Sequence, residues 1–227
     1  MKTRLLAFLI AATTCLAQQD QTDLKALEKK AEAGDAAAQI ALGLAYDQGT
    51  GVTQDRRKAA EWYAKAAEQG TAEAQFNLGA MYDFGEGVKK DEAMALELFE
   101  KAAKQGLTDA QFNLANMYAA GRGTPQNFAK AIEWYEKAAT KGMTRAQVNL
   151  GLMHVKGEGV PRNNLKAYAW FSLAAADGDP AAKKSRDFIE SKLNAKQKEM
   201  FRDAAADLAQ SLKKQQQPAI PYPAPSR

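Results

Sequence analysis

From Ala38 onward the apolar residues recur with helical spacing. Ala38, Leu42, Ala45 and Tyr46 stand at i, i+4, i+7 and i+8, one stripe of an amphipathic helix. Ala59, Trp62, Tyr63, Ala66 and Ala67 follow at i, i+3, i+4, i+7 and i+8 and predict a second helix. Between the two stripes lies Gly49-Thr50-Gly51-Val52. Paired glycines permit positive φ, so this segment ends the first helix and turns the chain. Asp55 is the expected N-cap of the second helix, because its carboxylate accepts from the free amides of the first turn.

The same pattern returns three more times at a shift of 36 residues without a gap, opening at Ala74, Ala110 and Ala146. The turn recurs as Gly85-Glu86-Gly87-Val88, Gly121-Arg122-Gly123-Thr124 and Gly157-Glu158-Gly159-Val160. Asp91, Asn127 and Asn163 take the capping register, with Pro125 and Pro161 just upstream, where no amide donor is needed. Gly70, Gly106, Gly142 and Gly178 end the second helices. Gly43, Gly79, Ala115 and Gly151 are expected to leave room for a neighbouring backbone, with the aromatics at 63, 99, 135 and 171 filling the gap opposite. One such helix pair cannot bury its apolar face alone, so the pattern predicts an all-α solenoid of stacked repeats.

The flanks divide accordingly. Residues 1–17 read as a signal peptide: Lys2 and Arg4, then an apolar run from Leu5 to Ala12, then small residues Cys15 and Ala17 before Gln18. Cleavage after Ala17 is the expectation, for a periplasmic or secreted chain without a transmembrane segment. Lipid attachment at Cys15 is the alternative. Residues 18–34 form a leading half-repeat with Leu24, Leu27 and Ala31 on its stripe, 35–181 hold four repeats, and 182–214 form polar-faced capping helices with Asn194 capping the last. Residues 215–227, rich in glutamine and proline, are expected to be a disordered or extended tail that joins no helical core.

The pattern AQxNLGxMYxxGxGVxxDxxKAxEWYxKAAxxG, covering about Asp35 to Pro180, resembles the Sel-one-like repeats, relatives of tetratricopeptide repeats with a longer inter-helix loop. The segment AYAWFSLAAADGDPAA resembles the family's final unit. The resemblance implies a right-handed superhelix that works as an adaptor, with bacterial members often exported and tied to envelope or host-interaction roles. Some exported relatives are described as binding or cleaving β-lactams. Those carry a disulfide in each repeat, and this chain has Cys15 alone, so that property does not carry over.

Composition narrows the function further. The formal net charge is +4 over 227 residues, and loss of Lys2 and Arg4 leaves +2, too small an imbalance to imply nucleic acid. A single cysteine excludes an intramolecular disulfide framework and a thiolate metal site. His154, the one histidine, shares the register of Tyr46, Tyr82 and Tyr118 and reads as a packing residue, without partners for a triad or a zinc site. The Gly-x-Gly turns follow helices and lack Gly-Lys-Ser/Thr, unlike a phosphate loop. Asp47 and Asp83 precede them without the further oxygens that calcium needs. Lys183, Lys184 and Arg186 are followed by Asp187 and Glu190 and read as a capping-helix surface. No catalytic residue, cofactor or metal site is expected.

The candidate binding surface is the concave face of the first helices. Asn77, Asn113 and Asn149 stand 36 residues apart, with Ala41 in the same register. Stacked amides there suit the backbone of an extended peptide; the alternative is that each braces its own repeat. Beside them the registers Leu44, Ala80, Asn116, Leu152 and Gln48, Phe84, Ala120, Lys156 vary, as specificity requires. The expected contacts are Asn77, Asn113, Asn149, Asn116, Phe84 and Leu44. The function that follows is a non-catalytic scaffold in the cell envelope for a protein or peptide partner. An inhibitor or immunity protein for one exported enzyme or toxin is the alternative, and a β-lactam-binding enzyme the more distant one.

Overall fold

The structure, a computed structural model, describes residues 24–216. Among them are eleven helices and no strand. A leading helix, α1 (24–32), precedes four helix pairs. These are α2 (Ala36–Gln48) with α3 (Arg56–Glu68), α4 (Ala72–Phe84) with α5 (Glu92–Lys104), α6 (Thr108–Ala120) with α7 (Phe128–Thr140), and α8 (Thr144–Lys156) with α9 (Asn164–Ala176). Two further helices, α10 (Pro180–Glu190) and α11 (Ala195–Gln216), follow. The chain is an all-α solenoid of 36-residue units. It divides into two compact units, the residues up to Ala110 with Arg122–Thr124, and Gln111–Gly121 with the residues from Pro125 onward.

The four turns share one construction. Gly49, Gly85 and Gly157 cap their helices in the left-handed region, at φ 72°, 74° and 77°. The Asp55 amide then bonds back to the Tyr46 carbonyl at 2.9 Å, as Asp91 does to Tyr82, Asn127 to Tyr118 and Asn163 to His154. In each case the side chain of the same residue accepts from the amides that open the next helix. One residue thus closes the turn and starts the helix, which is why Asp or Asn recurs there.

In the last three turns the second glycine has a reason that lies outside the turn. A Cβ on Gly87 would stand 2.2 Å from the Arg56 carbonyl oxygen, and one on Gly123 2.3 Å from that of Glu92. The turns of the last three repeats therefore rest on the opening of the second helix of the preceding repeat. Gly51, in the first repeat, meets nothing within 4 Å.

Gly43, Gly79 and Gly151 make room for an aromatic ring, which corrects the expectation that a backbone fills that space. A Cβ on Gly43 would lie 2.8 Å from the Tyr63 ring, and one on Gly79 3.1 Å from Phe99. Tyr63, Phe99 and Phe171 are accordingly among the largest fully buried side chains. Leu42, Leu114 and Leu150 are completely buried on the first helices, each contributing about 1.5–3 kcal/mol by burial. Phe76 and Phe112 lean on the same aromatics, with ring centroids 5.7 Å from Phe99 and 5.8 Å from Tyr135, so they belong to the packing.

A buried glutamine in each repeat adds a polar tie. Gln39 donates to the Ala31 carbonyl at 3.0 Å and accepts from Gln69 at 2.8 Å, and Gln75 accepts from Gln105 at 2.8 Å. In the last repeat the donor's register holds Asp177, an acceptor only, and the Gln147 side-chain oxygen is left without a hydrogen-bond partner.

The flanking helices differ slightly from expectation. Leu24 and Leu27 of α1 pack against the cluster of Ala31, Ala38 and Leu42. The closing part begins at Pro180, two residues before the expected boundary, because Asp179 accepts from the Ala182 amide and Pro180 fits the first turn. Asn194 caps α11 in a reciprocal box: its side chain accepts from the Gln197 amide at 2.9 Å, and the Gln197 side chain accepts from the Asn194 amide at 3.0 Å. The helix runs to Gln216, two residues into the segment expected to be extended. The signal-peptide residues and the proline-rich end lie outside the described residues.

Candidate binding site

In the unit that begins at Gln111, a groove of about 610 Å³ opens between α8, α9 and α10. Its apolar lining comes from Leu152 and Val155 on α8, Phe171 on α9, Ile189 on α10 and Leu193 beyond its end. Phe188 borders it and is 66% exposed, unusual for a phenylalanine on a closing helix. The charged side chains that line it are Arg162, Lys184 and Lys192, all cationic and exposed. The nearby acids on α10 are engaged elsewhere. Asp187 pairs with Arg186, and Glu190 accepts from the Tyr168 hydroxyl at 3.0 Å and pairs with Arg202. The Arg202 bond, then the Tyr168 bond, holds the Glu190 carboxyl below the usual carboxylate range.

Of the residues expected to bind, Asn113, Asn116 and Asn149 lie in this unit, all half-buried. The Tyr135 hydroxyl donates to the Asn116 oxygen at 2.6 Å and is also bonded by the Asn149 side chain. Burial raises the Tyr135 phenol's pKa, and the Asn149 bond partly offsets it. Asn116 and Asn149 thus share a bond to one buried hydroxyl. Asn149 also lines a small hollow of about 140 Å³ with Leu152 and Lys156. Leu152 borders both that hollow and the main groove.

In the other unit, Asn77 is half-buried on α4, Leu44 is 43% exposed on α2, and Phe84 is 72% exposed at the end of α4. Asp47 and Asp83 are occupied by arginines. Arg56 sits 3.6 Å from Asp47 and 3.1 Å from Glu86, and Arg122 sits 2.5 Å from the buried Asp83. The Tyr63 hydroxyl, buried and near Asp47, has its pKa pushed up to about 12. These are ties between turns and helices. Among the described residues no group of three His, Cys, Asp or Glu side chains is placed to hold a metal ion.

His154 is 4% exposed in the tyrosine register and lines a separate hollow of about 260 Å³ with Glu136, Lys166 and Trp170. Its Nδ1 has no hydrogen-bond partner. Burial, then the Lys166 charge, lowers its pKa. Burial raises that of Glu136.

The groove was missed in the sequence, although half of its signal was there. Lys184, Phe188 and Lys192 fall at i, i+4 and i+8, one stripe of α10 and its terminal turn. Reading Lys184 with Lys183 and Arg186 as a surface cluster hid that stripe. The approach of Leu152 and Arg162 to it is tertiary and has no local signature.

Comparison with known proteins places the chain in context. The Sel1 repeat matches residues 36–71, 72–107, 108–143 and 144–179. A protective antigen of uropathogenic Escherichia coli with an SLR fold is 34% identical, with a TM-score of 0.72 over 80% of this chain. This chain spans only 40% of that structure's length. A Sel1 repeat protein of Oxalobacter formigenes is 29% identical over 85% of this chain and 84% of its own, with a TM-score of 0.70. No curated protein matches the chain.

Proposed function

Because the chain belongs to the Sel1 repeat family, we propose that it is a non-catalytic scaffold binding a protein or peptide partner. The observation that carries this reading is the groove of about 610 Å³ between α8, α9 and α10. A cleft of about 300–1,000 Å³ with apolar walls and few polar groups is the usual form of a small-ligand site, and one of this size can take a few side chains of a partner. Sel1 repeats generally mediate protein–protein interaction, which agrees. In the same unit as the groove, the half-buried Asn113 and Asn149 offer further amides to a peptide backbone and are part of the proposal, as is Asn77 within the other unit.

The basic start and apolar run before Gln18 support export to the periplasm or beyond, with the scaffold acting in the cell envelope. Intact mass of the native protein decides this: a chain beginning at Gln18 is the expected result, and an acylated Cys15 replaces it with a membrane-anchored scaffold.

Crosslinking the native protein in its own envelope fraction tests the function. One partner recovered in stoichiometric yield, and lost with Leu152→Asp in a chain that still folds, is the expected result. A reproducible turnover of an ester, peptide or β-lactam, abolished by one point substitution, overturns it.

A further inference from the structure

We propose that the groove on α10 takes an acidic peptide segment in extended conformation, of the pattern acid–x–apolar–x–acid. This rests on the binding-scaffold reading and names the chemistry of its partner. Three observations carry it: the sign of the lining charges, the lack of internal partners for them, and the spacing of the stripe.

The groove is lined by three cations and no carboxylate. Among the described residues neither Lys184 nor Lys192 makes an ion pair, unlike Lys101 with Glu97 and Lys137 with Glu133. Lys192 lies 5.4 Å over the Phe188 ring, and Arg162 reaches only the Lys156 carbonyl, at 3.4 Å. The neighbouring acids Asp187 and Glu190 are already paired. Positive charge is therefore collected around the groove without an ion-pair partner, which an anionic partner would complement.

The spacing selects the partner's conformation. Four residues of helix rise by about 6 Å. Every second residue of an extended chain falls about 6.6 Å along and on the same face. A strand laid along α10 and the turn after it therefore puts an acid at Lys184 and an apolar side chain at Phe188, with a second acid near Lys192, two residues past the end of the helix. The central side chain has Phe188, Ile189 and Leu152 to pack on.

Panning a random peptide library displayed on phage against the full chain tests the proposal. The expected result is enrichment of acid–x–apolar–x–acid peptides. In fluorescence anisotropy the enriched peptide should bind more weakly by about ten-fold or more to Lys184→Glu/Lys192→Glu, and also weaken in high salt. Phe188→Ala, at an exposed position, should weaken it independently. Both variants should melt like the parent, since none of these side chains holds the core. Enrichment without an acidic bias, or acidic peptides that bind the charge-reversed variant equally well, overturns the proposal and leaves the scaffold reading standing. No enriched peptide of any kind counts against both. Tight binding to phosphatidylserine vesicles, lost in the charge-reversed variant while acidic peptides bind only weakly, would assign the groove to a membrane surface instead.

Discussion

The Phe171 ring lies so close to Gly151 that a Cβ there would stand 2.5 Å from ring carbon Cε1. Phe171 is 1% exposed and cannot swing away. Overpacking of this kind costs about 1–3 kcal/mol, while alanine gains about 1 kcal/mol over glycine in a helix interior. At Gly151 the clash wins, so Gly151→Ala should lower the melting temperature by a few degrees, at about 2–4 °C per kcal/mol. At Gly79 the nearest ring atom is 3.1 Å away, and a shift of a few tenths of an ångström relieves it. Gly79→Ala should then be near neutral. Circular dichroism melts of the two variants decide it; equal destabilisation would mean that the ring is not what these glycines accommodate.

A second pair of glycines separates local strain from packing. Gly51 and Gly87 have nearly the same φ, 73° and 71°. An alanine at either position must accept the left-handed region, at roughly 1–2 kcal/mol. Only at Gly87 does the added Cβ also strike backbone, the Arg56 carbonyl at 2.2 Å. Gly87→Ala should therefore be markedly less stable than Gly51→Ala in urea unfolding. Similar midpoints would show that the turns do not depend on the preceding helix.

What the sequence shows and hides follows from how far each interaction reaches. The caps Asp55, Asp91, Asn127 and Asn163 act within three residues, so type and spacing identify them. The second glycine of each turn is visible as a repeat, but its cause, a contact 31 residues back from Gly87 to Arg56, is not. Gln39 and Gln75 look like surface positions, because a polar residue on an apolar stripe discloses its partner only when Gln69 and Gln105 arrive from the second helices. The asparagine register is visible too, but not that Asn149 would share Tyr135 with Asn116. The groove needs α8 and α10 side by side, and only the Lys184–Phe188–Lys192 stripe announces it.

The asparagines can be tested through that shared hydroxyl. Tyr135→Phe removes the bonds to both Asn116 and Asn149. Each is worth about 0.5–1.5 kcal/mol net, more where a buried group is left unpaired. Tyr135→Phe and Asn149→Ala should each destabilise, and the double variant should cost less than the sum of the two. If Asn149 also contacts a peptide, Asn149→Ala weakens binding where Tyr135→Phe does not. Additive losses in stability would show that the two side chains act apart.

The last prediction concerns acid. His154 is buried and has its pKa lowered, first by burial and then by the Lys166 charge. In the unfolded chain it titrates near 6.5. As pH falls below that value the unfolded chain takes up a proton that the folded chain resists, so stability present above it is progressively lost. Glu136 opposes this. Its pKa is raised, chiefly by burial, so the folded chain takes up its proton first as pH falls, which adds stability. His154→Tyr restores the residue found at positions 46, 82 and 118 and removes the titrating imidazole. The melting temperature of the parent should then fall more steeply than that of His154→Tyr between about pH 6.5 and 5. Glu136→Gln should steepen the parent's fall, because it deletes the opposing group. Parallel curves for the parent and His154→Tyr would mean that the imidazole takes its proton as readily folded as unfolded.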